Sequence, residues 1–91
     1  MNTTTATTTA TKPTYYETYL RLIKQVRGDK RIDRIFCSAE ENAADSARED
    51  GFKPYSEEYY STLLGSLSSA AEAYEDVAYA SKWFARRGYR I

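Results

Sequence analysis

Apolar positions recur along this chain every three or four residues, and short polar residues and glycines punctuate the recurrence. In "PTYYETYLRLIKQVRG" (residues 13–28) Tyr15, Tyr16, Tyr19, Leu20, Leu22, Ile23 and Val26 share one side of a helical wheel. They span an arc of about 160°, wide enough to touch two neighbouring helices, with Glu17, Arg21, Lys24 and Gln25 opposite. Thr14 and Glu17 have capping-box spacing and Gly28 supplies a stop, so the pattern predicts a first helix between them. After Asp29 the positions Ile32, Ile35, Phe36, Ala39, Ala43 and Ala47 form one stripe of helical period, closed by Gly51 with Phe52 placed to fold back. A later start at Ser38 and Glu41, leaving "RIDRIFC" as a strand, is the lesser option because the stripe is unbroken.

A third pattern opens in "KPYSEEYYSTLL" (residues 53–64), with Ser56 as N-cap, Glu57 and Glu58 at the positive helix end, and Tyr55 and Tyr60 spaced as a hydrophobic staple. Tyr60, Leu63, Leu64 and Leu67 carry its apolar face. "GSLSS" (residues 65–69) is either a weak point in one long helix or a break, and the punctuation favours a break, since Ser69 and Glu72 again have capping-box spacing. That choice decides the position of Trp83. An uninterrupted helix puts it opposite the stripe of Leu67, Ala71, Tyr74, Ala78 and Ala85, and therefore in solvent. A break lets the last segment rotate to bury Ala73, Val77, Ala80 and Phe84, with the indole at the core edge. A lone tryptophan is usually largely buried, which favours the core or its rim.

The fold expected is therefore all-α: a small helical bundle of three long helices, with room for a short fourth between residues 56 and 65. Residues 13–91 form a single domain. Residues 1–12 hold seven threonines and almost nothing for a core, so they read as a disordered leader. They have neither the basic start nor the apolar run of a signal peptide.

Composition narrows the chemistry. There is no histidine and one cysteine in 91 residues, which removes the commonest general base and metal ligand, and any intrachain disulfide. A reduced, cytoplasmic setting fits such a chain. Cys37 has no histidine partner and reads as a neutral thiol on the flank of the second helix. No glycine-rich loop or phosphate clamp accompanies the carboxylates, so the expectation is a non-enzyme with no cofactor and no metal. No apolar run is long enough for a membrane span.

Thirteen basic residues balance thirteen acidic ones, yet they come in blocks. Lys12 to Arg34 holds seven basic and three acidic residues, Ser38 to Asp76 two and ten, and Lys82 onward four and none. Arg27, Lys30, Arg31 and Arg34 should share one pole of the bundle, and Glu49, Asp50, Glu57 and Glu58 the other. A continuous last helix would return Arg86, Arg87 and Arg90 to the basic pole, whereas a reversal near Ser66 would set them among the acids.

Two contact surfaces follow. Tyr79, Trp83, Arg86 and Arg87 recur at i, i+4, i+7 and i+8 and belong to the residue types that dominate binding hot spots, with Arg90 just beyond. Glu40, Glu41 and Asp45 form an acidic face, which Glu49, Asp50, Glu57 and Glu58 would extend into an imitation of nucleic acid. Such a chain is expected to bind a protein partner. Small inhibitors or adaptors carried by phages and other mobile elements, anti-CRISPR proteins among them, share its size and lack of catalytic motifs. The alternative is a nucleic-acid-associated protein using Lys82, Arg86, Arg87 and Arg90 beside Trp83 and Tyr89.

Overall fold

The computed structural model describes residues 13–91; the expectation of a disordered leader over residues 1–12 lies outside them. Helix α1 (Tyr15–Ile23) begins at a complete capping box. Thr14 Oγ1 accepts the Glu17 N–H at 3.0 Å, and Glu17 Oε1 accepts the Thr14 N–H at 2.8 Å. The Tyr15 and Tyr16 N–H groups donate to the Glu57 carboxylate at 2.9 and 3.1 Å, across more than forty residues of chain. All four donors from Thr14 to Glu17 are thus bonded, where a helix start ordinarily leaves such groups without a helical partner. The helix ends sooner than Gly28. Tight turns carry the chain through Val26, which is buried, to left-handed Arg27 and Gly28 (φ 47° and 85°).

Helix α2 (Lys30–Asp50) is the long central element. Asp29 Oδ1 accepts the Ile32 N–H at 3.1 Å at its start. Gly51 closes it at φ 80°, a conformation that suits glycine because it has no Cβ to clash. Every residue of the expected stripe, Ile32, Ile35, Phe36, Ala39, Ala43 and Ala47, is buried, and Phe52 packs back on the core. The late start at Ser38 does not occur.

Helix α3 (Glu57–Gly65) is capped by Ser56, whose Oγ accepts the Tyr59 N–H at 3.3 Å. Tyr55 stacks on Tyr59 at 5.1 Å, so the staple is met one residue earlier than Tyr60. Helix α4 (Leu67–Ala73) follows after Ser66 alone, which keeps right-handed helical angles (φ −91°, ψ −8°). The interruption at Ser66 therefore loosens the helix without turning it, and Leu63, Leu64, Leu67, Ala70 and Ala71 stay on one buried face. Ser66 is held on both sides, donating to the Thr62 carbonyl at 2.8 Å and accepting from Asn42 Nδ2 at 2.6 Å. The Ser69–Glu72 box does not form.

The real corner lies later. Glu75 is left-handed (φ 58°), its N–H donates to the Glu72 carbonyl at 3.0 Å, and the Asp76 N–H donates to the Ala71 carbonyl at 2.9 Å. This is a Schellman ending with glutamate where glycine is usual. Helix α5 (Val77–Ala85) then starts beside the start of α2 and ends in a second Schellman motif, with Gly88 left-handed and Tyr89 on Phe84 at 6.1 Å.

The all-α bundle expected from the periodicity is what the chain forms. Only α2 is long, however: the expected third long helix is divided by Ser66 and by the corner at Glu75. The core is strongly aromatic. Phe36 meets Tyr19 at 6.0 Å, Phe84 at 5.7 Å and Trp83 at 6.5 Å, and Tyr19 continues to Tyr60 at 5.1 Å. Aromatic pairs offset or tilted in this way add roughly 0.5–1.5 kcal/mol each beyond their area.

Candidate functional site

The corner at Glu75 swings α5 so that Ala80, Trp83 and Phe84 face inward. Trp83 is 7% exposed, packed on Phe84 at 4.9 Å and Phe36, with the Arg87 guanidinium over its ring at 3.8 Å. The solvent-facing option for Trp83 is thereby corrected. It arose from continuing the α4 stripe past residue 74, which the chain does not do. Ala73 and Val77, expected to turn inward after a break, stay exposed because the corner comes nine residues later than Ser66.

The other residues of the C-terminal set separate into two roles. Arg87 is half-buried and structural: its Nη1 donates to the Trp83 carbonyl at 2.8 Å, and its own carbonyl accepts from Arg21 Nη1 at 2.6 Å, which ties α5 to α1. Arg86 and Arg90 are exposed. Tyr79 is also solvent-facing, but it is fixed. Its hydroxyl donates to Asp29 Oδ2 at 2.5 Å, and the Arg31 guanidinium lies 4.8 Å from its ring centre. The bond to Asp29 raises the Tyr79 hydroxyl above its ordinary pKa, with partial desolvation adding, while Arg31 and Arg86 pull the other way. Partial burial pushes the Asp29 carboxyl up, but the Tyr79 bond, the Ile32 and Arg31 N–H groups and the Arg31 charge together hold it below its ordinary value.

Arg31, Arg34 and Tyr74 belong to this surface as well, though no local spacing connects α2 with the corner. Arg34 pairs with Asp76 at 2.8 Å and lies 4.4 Å from the Tyr74 ring centre. Tyr74 and Tyr79 are both 39% exposed and Val77 is 43% exposed. The result is an arginine–tyrosine face across the start of α2, the corner and α5. Tyr79, Lys82, Trp83 and Arg86 line a shallow notch on it.

The basic-pole expectation is met in part. Arg31 and Arg34 stand together, and Arg86 rejoins Arg31 at Tyr79, though by way of the corner and not by a continuous helix, while Arg87 does not. From the corner α5 runs back beside the first half of α2, which leaves Arg86 within electrostatic reach of Tyr79 and carries Arg87 to α1.

The acidic set divides: Glu41 and Asp45, one helical turn apart on α2, stay exposed with Glu49 beyond them, while Glu40 and Glu57 are engaged elsewhere. Glu40 is half-buried and accepts the Tyr19 hydroxyl at 2.7 Å, which, after burial itself, raises that hydroxyl far above its ordinary value. Asp45 pairs with Arg48, and Glu57 is committed to α1. Glu41 is exposed. Cys37 is exposed beside Asp33, and its thiol is pushed up by desolvation, then by Asp33, Glu40 and Glu41, the opposite of nucleophile activation. Among the described residues no three histidine, cysteine or acidic side chains converge as metal ligands would, and no helix is long and apolar enough to cross a membrane. No protein-family model, curated protein or solved structure matches the chain.

Proposed function

We propose that this chain is a non-enzymatic protein-binding module that docks through the arginine–tyrosine face of α5 and the start of α2. One observation carries the reading: Arg31 and Arg34 lie over the exposed rings of Tyr79 and Tyr74. A guanidinium resting on a ring has already lost side-chain freedom and part of its water, and it still presents N–H edges to a partner. Arginine and tyrosine in such settings supply a disproportionate share of binding energy. The size of the chain and its lack of a catalytic constellation support an inhibitor or adaptor, the anti-defence proteins of mobile elements, including the anti-CRISPR type, among the candidates. A cytoplasmic setting fits the single cysteine.

Lys82, Arg86 and Arg90 favour the second reading, a nucleic-acid-associated protein. Against it, the rings of Tyr74, Tyr79 and Trp83 each carry a guanidinium, and single-strand binding relies on open aromatic faces for base stacking. The test is affinity capture from a bacterial lysate treated with nuclease, comparing the full chain with a Lys82→Glu, Arg86→Glu double variant. A protein retained by the first and lost by the second supports the reading. Equal retention, or nucleic acid as the only bound species without nuclease, refutes it.

A further inference from the structure

We infer that the notch formed by Tyr79, Lys82, Trp83 and Arg86 receives an extended acidic peptide segment whose carboxylates occupy alternate positions; this rests on the docking face proposed above. The four residues recur at i, i+3, i+4 and i+7, which places them on one side of α5, and together they line the notch. Among the described residues neither Lys82 nor Arg86 has an ion-pair partner, unlike Arg34 and Arg48. Arg31, set over the Tyr79 ring, brings a third positive charge to the rim.

The walls are fixed before any ligand arrives. Tyr79 is held at its hydroxyl by Asp29, and Trp83 is held by Phe36, Phe84 and Arg87. A site whose side chains are already ordered loses less entropy on binding. Lys82 and Arg86 are one helical turn apart, with Cβ atoms about 6 Å from each other. In an extended peptide, side chains on one face repeat about every 6.6–7 Å. Two carboxylates at alternate positions of such a segment therefore match the two cations. Exposed Ala78, one helical turn before Lys82, gives an apolar residue of the same segment a surface beside the notch.

Charge also separates a peptide from a phosphate backbone. Asp29, bonded to Tyr79, and Asp76, paired with Arg34, interrupt the positive field on the α2 and corner side of the face. A chain of phosphates tracking across it would meet both, whereas a short acidic segment seated on Lys82 and Arg86 has only Asp29 at its edge, and that carboxylate is already bonded to Tyr79. The N–H edges of arginine suit carboxylates well.

Trp83 is the single tryptophan of the chain, so its emission reports on the notch directly. The full chain is titrated with a synthetic peptide of alternating glutamate and threonine, with its glutamine–threonine counterpart, and with oligothymidylate of matched charge. The expected result is a saturable change in Trp83 emission with the glutamate peptide alone, weakened at least tenfold by Lys82→Gln with Arg86→Gln and by high salt. Melting curves of the double variant should match the parent, since both side chains are exposed. No response to the glutamate peptide, an unchanged affinity in the double variant, or tighter binding of oligothymidylate would overturn the inference. If the glutamate peptide fails while a captured protein still depends on Lys82 and Arg86, the acidic-segment inference is wrong and the docking face stands. If both fail, the face itself is misassigned.

Discussion

Phe36 touches Tyr19, Trp83 and Phe84, so a single ring on α2 joins α1 to α5. Truncating it leaves a cavity at the junction, and Phe36→Ala should cost about 3–5 kcal/mol in chemical denaturation. Trp83→Ala should cost a similar amount, because the indole is a core residue; Glu41→Ala, on an exposed site, should stay within about 0.5 kcal/mol. The tyrosines give a pH signature. The hydroxyls of Tyr19, Tyr59, Tyr60 and Tyr89 are all raised, first by burial, and at Tyr19 next by the bond to Glu40. A raised folded value means the stabilisation is whole below the unfolded tyrosine value of about 10 and is lost as pH rises through the folded values. Melting temperature should therefore fall above about pH 10, and Tyr19→Phe should flatten that slope. An unchanged slope would mean that the Tyr19 hydroxyl, raised by burial and by Glu40, contributes nothing to it.

At the scale of elements, stripes and caps were legible wherever the signal is local. The burial of Ile32, Ile35, Phe36, Ala39, Ala43 and Ala47 follows from a period that one helix imposes on itself, and the Thr14–Glu17 box from a spacing of three. Glu57 was read as a first-turn acid of its own helix, which it is. Its second role, holding the Tyr15 and Tyr16 N–H groups, depends on how α1 and α3 meet, and no spacing encodes that. Glu57→Ala should cost about 1–2 kcal/mol, as removal of a strong cap does, and should raise amide exchange at the start of α1. The corner at Glu75 was missed because its left-handed residue is not glycine, while Gly65, which drew attention, is an ordinary helical position. Glu75→Gly should accordingly stabilise the fold by up to about 1 kcal/mol, by relieving the left-handed strain. Destabilisation by that change would show that the Glu75 side chain makes a contribution exceeding its backbone strain.

At the scale of the whole molecule, the fold distributes the residues of the two expected contact surfaces differently. Tyr79 and Arg86 remain on the surface, Trp83 and Arg87 become its support, and Arg31, Arg34 and Tyr74 join from elements that are distant in sequence. Glu40 and Glu57 hold groups of α1, while Glu41 and Asp45 stay exposed on α2. Charge blocks along a chain do not reveal this division, because it depends on which partners the fold supplies. The claim that the α5 face is the docking surface is tested most directly by site-specific photo-crosslinking in a lysate. A benzophenone side chain replaces exposed Ala78 on α5 in one variant and exposed Glu41 on the outer side of α2 in another. The prediction is a discrete protein adduct from position 78 that survives nuclease, and none from position 41. Adducts from position 41 alone, or from both positions equally, would contradict it.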